Sequence, residues 1–186
     1  MTEFLPGGRR RIDRVLAPAF IENIEGLDLE ELRLRRADAD QEEVDLSYAR
    51  RLLQGRLDIL RAEQESRRGG GRFSHPARTD VEIVAALSRI LADEQRQTRG
   101  LGRHVSGSAP SRVGEHRREA ERAVADVGGS DLAALADVQL AEAIANLADI
   151  EARTSRSRRQ VQAVVDLLTE EIARRYQAGE IGVGAR

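Results

Sequence analysis

Five polar residues, Glu43, Ser47, Arg50, Gln54 and Asp58, are spaced 4, 3, 4 and 4 apart, and the same five types recur at the same spacings as Glu151, Ser155, Arg158, Gln162 and Asp166. Each residue lies 108 positions from its counterpart. At about 100° per residue, this spacing gathers five side chains within about 80° of one helix face, along about 22 Å of its length. The chemistry of the set is that of a recognition surface. Arginine offers a planar fork that suits phosphate or the O6 and N7 edge of guanine, and it can stack on a base. An ionised aspartate only accepts, and so complements the N1 and N2 donors of guanine; glutamine donates and accepts, and serine can donate to phosphate. The inventory suits a guanine nucleotide with accessible phosphates, and two equivalent ridges facing each other suit a ligand with twofold symmetry. The competing reading is structural: the ridges could supply interhelical salt bridges and hydrogen bonds that fix the register of a coiled coil. One copy alone would favour that view, whereas exact repetition, including Ser and Gln, favours a retained recognition face.

The elements that must carry these ridges are long helices. Apolar neighbours follow the same offset, Leu53 with Val161, Leu57 with Val165 and Leu60 with Leu168, so the repeat includes a packing stripe. Asp28 with Glu31 has capping-box spacing, and from there to Arg68 the sequence has no Pro and only Gly55, which predicts a first motif helix over 28–68, about 60 Å long. Gly69, Gly70 and Gly71 stop it. Ser130 reads as an N-cap for a second motif helix over 130–178, and residues Asp131 to Gln177 contain neither Gly nor Pro. Two such helices can fold back on one another, which predicts an all-α fold built on an antiparallel coiled coil, one domain overall. Residues 1–27 form an N-terminal segment with a short helix or two, interrupted by Pro18. The connector, 69–129, holds a short helix near 80–93, a flexible linker, and a charged stretch from Val113 with almost no apolar stripe. Residues 179–186 are a tail.

Composition sets limits on function. The 186 residues include thirty basic side chains, every one arginine, and thirty-two acidic ones, and the net charge of -2 gives no bulk drive toward nucleic acid or anionic membrane. The run Arg9 to Arg11 is accordingly expected to face solvent or a partner rather than DNA. Arginine in place of lysine throughout is most simply the mark of a GC-rich gene. With no cysteine there is neither a disulfide framework nor a thiolate metal site, and His75, His104 and His116 have no spacing that would put two on one helix face. No phosphate loop, dinucleotide fingerprint or nucleophile-and-base arrangement occurs, so the chain reads as a non-enzyme. No apolar run approaches the roughly 20 residues of a membrane span, and no signal segment opens the chain, so a cytoplasmic protein is expected.

At the ten motif residues the sequence resembles the RsiG family of actinobacterial anti-sigma factors, whose mark is a twice-repeated E(X)3S(X)2R(X)3Q(X)3D signature. The strings GGRRRIDRVLAPAF, QEEVDLSYARRLLQGRLDILRAE and RRYQAGE are also similar to that family, and residues 70 to 130 only loosely so. The resemblance implies a coiled coil that binds cyclic di-GMP, as a dimer of the dinucleotide, with one motif from each helix around it. It also implies that the liganded form holds a WhiG-type sporulation sigma factor away from RNA polymerase, with no direct DNA binding and with a monomer sufficient for the ligand site. Arg50 and Arg158 would then meet guanine or phosphate, and Asp58 and Asp166 the guanine edge. Ser47, Ser155, Gln54 and Gln162 would make further polar contacts, while Glu43 and Glu151 orient arginine or touch the ligand. The outer helix faces and the apolar face from Val81 to Leu91 are candidate sigma-binding surfaces.

Overall fold

The computed structural model describes residues 3–69, 114–128, 132 and 135–179. The expected short helix near 80–93, its apolar face from Val81 to Leu91, the linker, His75 and His104 lie outside the described residues. The elements are α1 (Arg11–Val15), α2 (Pro18–Ile21), a 3-10 turn (Ile24–Gly26), α3 (Leu29–Arg68), α4 (Glu115–Gly128) and α5 (Asp137–Gln177). There is no strand among the described residues, and the fold is all-helical as expected. The chain divides into two compact units, residues 1–60 with 108–186, and residues 61–107. Of the second, the last turns of α3 are described, with Arg67 paired to Glu63 one turn earlier at 2.8 Å.

The first unit is organised by an apolar repeat of seven. Leu32, Ala39, Leu46, Leu53 and Leu60 recur every seventh residue of α3, and Leu140, Leu147, Thr154, Val161 and Leu168 do so on α5; all ten are buried. A strict seven-residue repeat keeps one stripe of each helix against its partner, the geometry of a left-handed coiled coil. The pairing is antiparallel. Leu32 shares a cluster with Leu168 and Ile172 near the end of α5, whereas Leu60 shares one with Leu140 near its start. Burial of each leucine contributes roughly 1.5–3 kcal/mol, enough in sum to hold helices that propensity alone would leave frayed. Thr154, the one polar residue in this stripe, returns its hydroxyl to its own helix, Oγ1 donating to Ile150 O at 2.8 Å.

The start of α3 is where the sequence places it, with Glu31 N donating to Asp28 Oδ1 at 2.7 Å. The second long helix begins later than Ser130: Leu132 sits in a turn, Ala136 is extended, and the Ala136 N–H is taken by Gln139 Oε1 at 3.0 Å. Asp137 is therefore the first helical residue. The absence of Gly and Pro between 131 and 136 permits a longer helix but does not enforce one, because Leu132 packs into the second apolar cluster. The observed starts, Leu29 and Asp137, are themselves 108 positions apart. The 108-residue offset thus extends from the motif to the helix starts. At the far end Gly179 takes a positive φ of 70°, the left-handed conformation that closes helix C-termini.

Two attachments cover the helix pair. The N-terminal segment seats Ile12 and Val15, both fully buried, against the first apolar cluster, with Pro18 at the first position of α2. Its loop is tied by Asp13, whose carboxylate accepts from Leu5 N at 2.8 Å, Arg10 N at 3.2 Å and Arg10 Nε at 2.8 Å. The hydrogen bonds from Arg10, more than those from backbone amides, hold the Asp13 carboxyl down to about 2. Gly8 is required here because a Cβ would fall 2.1 Å from Asp13 Oδ2. Arg175 of α5 grips the 3-10 turn: Nη1 donates to Leu27 O at 2.6 Å, and Nη2 to Ile24 O at 2.9 Å and Glu25 O at 3.0 Å. Its Nε donates to Glu171 Oε1 at 2.7 Å, and Arg174 and then Arg175 hold the Glu171 carboxyl down to about 2.

The second attachment, α4, corrects the sequence reading of a charged segment without an apolar stripe. Ala120, Ala123 and Val124 pack into the second cluster, and His116 is buried, its Nε2 2.5 Å from Glu42 Oε1. Arg117 lies over the Tyr48 ring at 5.2 Å. A stripe built from alanine, one valine and a buried histidine is too weakly apolar to stand out in the sequence.

Candidate functional site

The ten motif residues flank the seven-residue seam on one side. In each copy the Glu, Ser, Arg and Gln are half-buried and the Asp is exposed: Glu43, Ser47, Arg50, Gln54 and Asp58 match Glu151, Ser155, Arg158, Gln162 and Asp166 in environment. The match follows from the packing. Because the ridge and the seam share one repeat, each motif residue has the same angular position relative to a buried leucine, valine or threonine.

Within each copy the serine donates back to the glutamate one turn earlier, Ser47 Oγ to Glu43 Oε1 and Ser155 Oγ to Glu151 Oε1, both at 2.9 Å. The antiparallel pairing then brings the copies together. Arg158 Nη1 donates to Glu43 Oε1 at 3.0 Å, and Gln54 Nε2 donates to Glu151 Oε1 at 3.1 Å. The glutamates are thus the acceptors that join one ridge to the other. The Nε atoms of Arg50 and Arg158 are buried without a hydrogen-bond partner. Such groups carry a desolvation cost that an added acceptor relieves. Arg50 makes no ion pair or hydrogen bond among the described residues.

A second polar cluster escapes the sequence reading. Arg11 meets Asp45 Oδ2 at 3.1 Å, Asp38 Oδ1 at 3.1 Å and Glu42 Oε2 at 3.8 Å, while Arg14 reaches Asp38 at 2.9 Å. Together with Arg10 on Asp13, these pairs show that two members of the Arg9 to Arg11 run are engaged by acids of their own chain. Glu42, Asp45 and His116 are buried, and they join the N-terminal segment and α4 to the middle of α3. A sequence signal existed: Glu42 stands where the other copy has Ile150, an acid at a position otherwise apolar. No group of three or more His, Cys, Asp or Glu able to hold a metal ion occurs among the described residues.

Two antiparallel helices carry one polar motif twice, on the same flank of a continuous apolar seam, and side chains of the two copies meet across it. The chain belongs to the RsiG-like family, whose model matches residues 18–91 and 126–185 and so includes both motifs. No curated protein matches the chain. The family is regulatory rather than catalytic, its role is that of an anti-sigma factor, and a sigma factor is the kind of partner it takes. Among the described residues no helix is long and apolar enough to cross a membrane.

Proposed function

We propose that the chain binds cyclic di-GMP between its two motif ridges, and that in the liganded form it sequesters a WhiG-type sporulation sigma factor from RNA polymerase. The observation that carries the reading is the pairing of two identical polar ridges on one flank of an antiparallel seam, joined through Arg158 with Glu43 and Gln54 with Glu151. A twofold-related pair of recognition faces matches a dinucleotide, or a pair of dinucleotides, with twofold symmetry of its own. The residues fit the ligand: the buried Nε atoms of Arg50 and Arg158 lack acceptors that a phosphate or a guanine edge supplies, and the exposed Asp58 and Asp166 are acceptors for guanine N1 and N2. Both ridges lie in one chain, so a monomer suffices for the site.

The chemistry is recognition, with no bond made or broken. A ligand bridging the two helices fixes their relative placement and with it the outer surface offered to the sigma factor, so ligand and partner bind with positive coupling. DNA has no part in this reading, since the chain is net acidic and Arg10 and Arg11 are internally neutralised.

A second reading has an observation of its own. The two interhelical bonds are also what a register-setting staple would make, and a coiled-coil scaffold would use them that way. Calorimetry with cyclic di-GMP, followed by capture of a WhiG-type sigma factor with and without the dinucleotide, separates the two. The signalling reading expects saturable heat that Arg50→Ala with Arg158→Ala abolishes, and sigma capture that rises with ligand. Absence of heat, with a double variant of lowered stability, leaves the scaffold.

A further inference from the structure

The two arginines of the repeat stand in different electrostatic settings. Arg158 is engaged by Glu43 across the helix interface at 3.0 Å, with side chains 21% and 26% exposed. Arg50 has no carboxylate partner among the described residues, and its Nε is buried without an acceptor. The difference lies in which donor each glutamate receives. Glu43 Oε1 takes the arginine of the opposite helix, whereas Glu151 Oε1 takes the neutral amide of Gln54 at 3.1 Å in addition to Ser155 at 2.9 Å. An anion arriving at Arg50 displaces no carboxylate, while one arriving at Arg158 competes with a charge already in place.

We infer that the two ridges are unequal half-sites that load in order, Arg50 taking the first anionic ligand and Arg158 the second, with Glu43 as the positioning residue that separates the steps. This rests on the cyclic di-GMP reading of the ridges. The competing ion pair is half-buried, so its displacement separates the two affinities by about three- to tenfold. Charge is the discriminating factor, because the Ser-to-Glu bonds, the burial pattern and the unpartnered Nε atoms are the same in both copies.

The test is a calorimetric titration of the full chain with cyclic di-GMP, followed in parallel through the arginine Nε–Hε signals. The expected result is two resolved steps, the Arg50 signal moving in the first and the Arg158 signal in the second. Arg50→Ala weakens the first step by about tenfold or more, a larger factor there than Arg158→Ala produces. Glu43→Gln, which keeps an oxygen for Ser47, tightens the second step by about three- to tenfold and does not tighten the first, a split that a merely structural role for Glu43 does not produce. Simultaneous movement of both arginine signals, or weakening of both steps by Glu43→Gln, overturns the ordering while leaving the ligand reading intact. Neither heat nor signal movement in the wild-type chain overturns the ligand reading, and the ordering with it.

Discussion

The two copies of the motif helix hold the same five polar residues at the same spacing and the same burial, yet they use them differently. In the first copy Glu43 receives a cation from across the seam; in the second Glu151 receives an amide. The contrast extends beyond the ridge. Glu63 with Arg67 and Glu171 with Arg175 are counterparts, each making the same one-turn pair, at 2.8 and 2.7 Å respectively. Only the second pair is buried, with Arg175 extended onto three carbonyls of the 3-10 turn. Repetition of sequence therefore conserves what each helix does alone, the seam and the one-turn bonds. What each helix meets from elsewhere in the chain differentiates the copies.

Substitutions at matched positions measure where equivalence ends. The largest expected effect is also the most symmetric: Leu60→Ala and Leu168→Ala, both at fully buried seam positions, should each lower unfolding free energy by about 3 kcal/mol in urea titrations. A large inequality between them would mean that the seam is not the common element. Arg175→Ala should cost about 2 kcal/mol or more, because three carbonyls lose a charged donor, whereas Arg67→Ala, at a half-exposed one-turn pair, should cost less than about 0.5 kcal/mol. Equal losses in thermal unfolding would remove the contrast between these two sites.

Acid offers a gentler probe. The Asp13 and Glu171 carboxyls are both held down to about 2, from usual values of 3.8 and 4.5. Their contribution to stability is complete above the usual values and is lost as pH falls through about 2. The midpoint of thermal unfolding should therefore drop between pH 4.5 and pH 2, and Asp13→Asn and Glu171→Gln should each flatten that dependence. The smallest effect belongs to the ridge itself. Glu43→Gln should change stability by less than about 1 kcal/mol, since its bond to Arg158 is half solvated; a change of several kcal/mol would mark the ridge as a structural staple.

Much of this was legible in the sequence. The repeat, the all-helical fold, the cap at Asp28 and the seam residues Leu53, Leu57 and Leu60 follow from types and spacings, because helix periodicity and capping are local physics. The start of α5 was not. Ser130 is a good cap by type, and nothing local distinguishes it from Ala136; the 108-residue offset applied to the helix start itself would have placed it at Asp137. The intrachain pairings of Arg10, Arg11 and His116 were hidden for a different reason. Arg11 and His116 satisfy acids far along the chain, and Arg10 is turned by a loop closed around Asp13, arrangements that only the folded path creates. Ridge composition was likewise readable, but the pairing of Arg158 with Glu43 rather than Arg50 with Glu151 depends on side-chain register across the interface.

The shared 108-residue offset of both helix starts bears on how such a helix pair can change over evolutionary time. In a symmetric homodimer built from one motif helix, every substitution appears in both arms at once, and a change that helps one arm is imposed on the other. With the arms covalently joined, each mutates on its own. A buried acid can be fixed at Glu42 while Ile150 stays apolar, and an arginine can be recruited to a turn at 175 while its twin at 67 pairs with Glu63 one turn earlier. The helices of a joined pair also associate by a first-order step, so their pairing does not have to rise and fall with the number of copies in the cell.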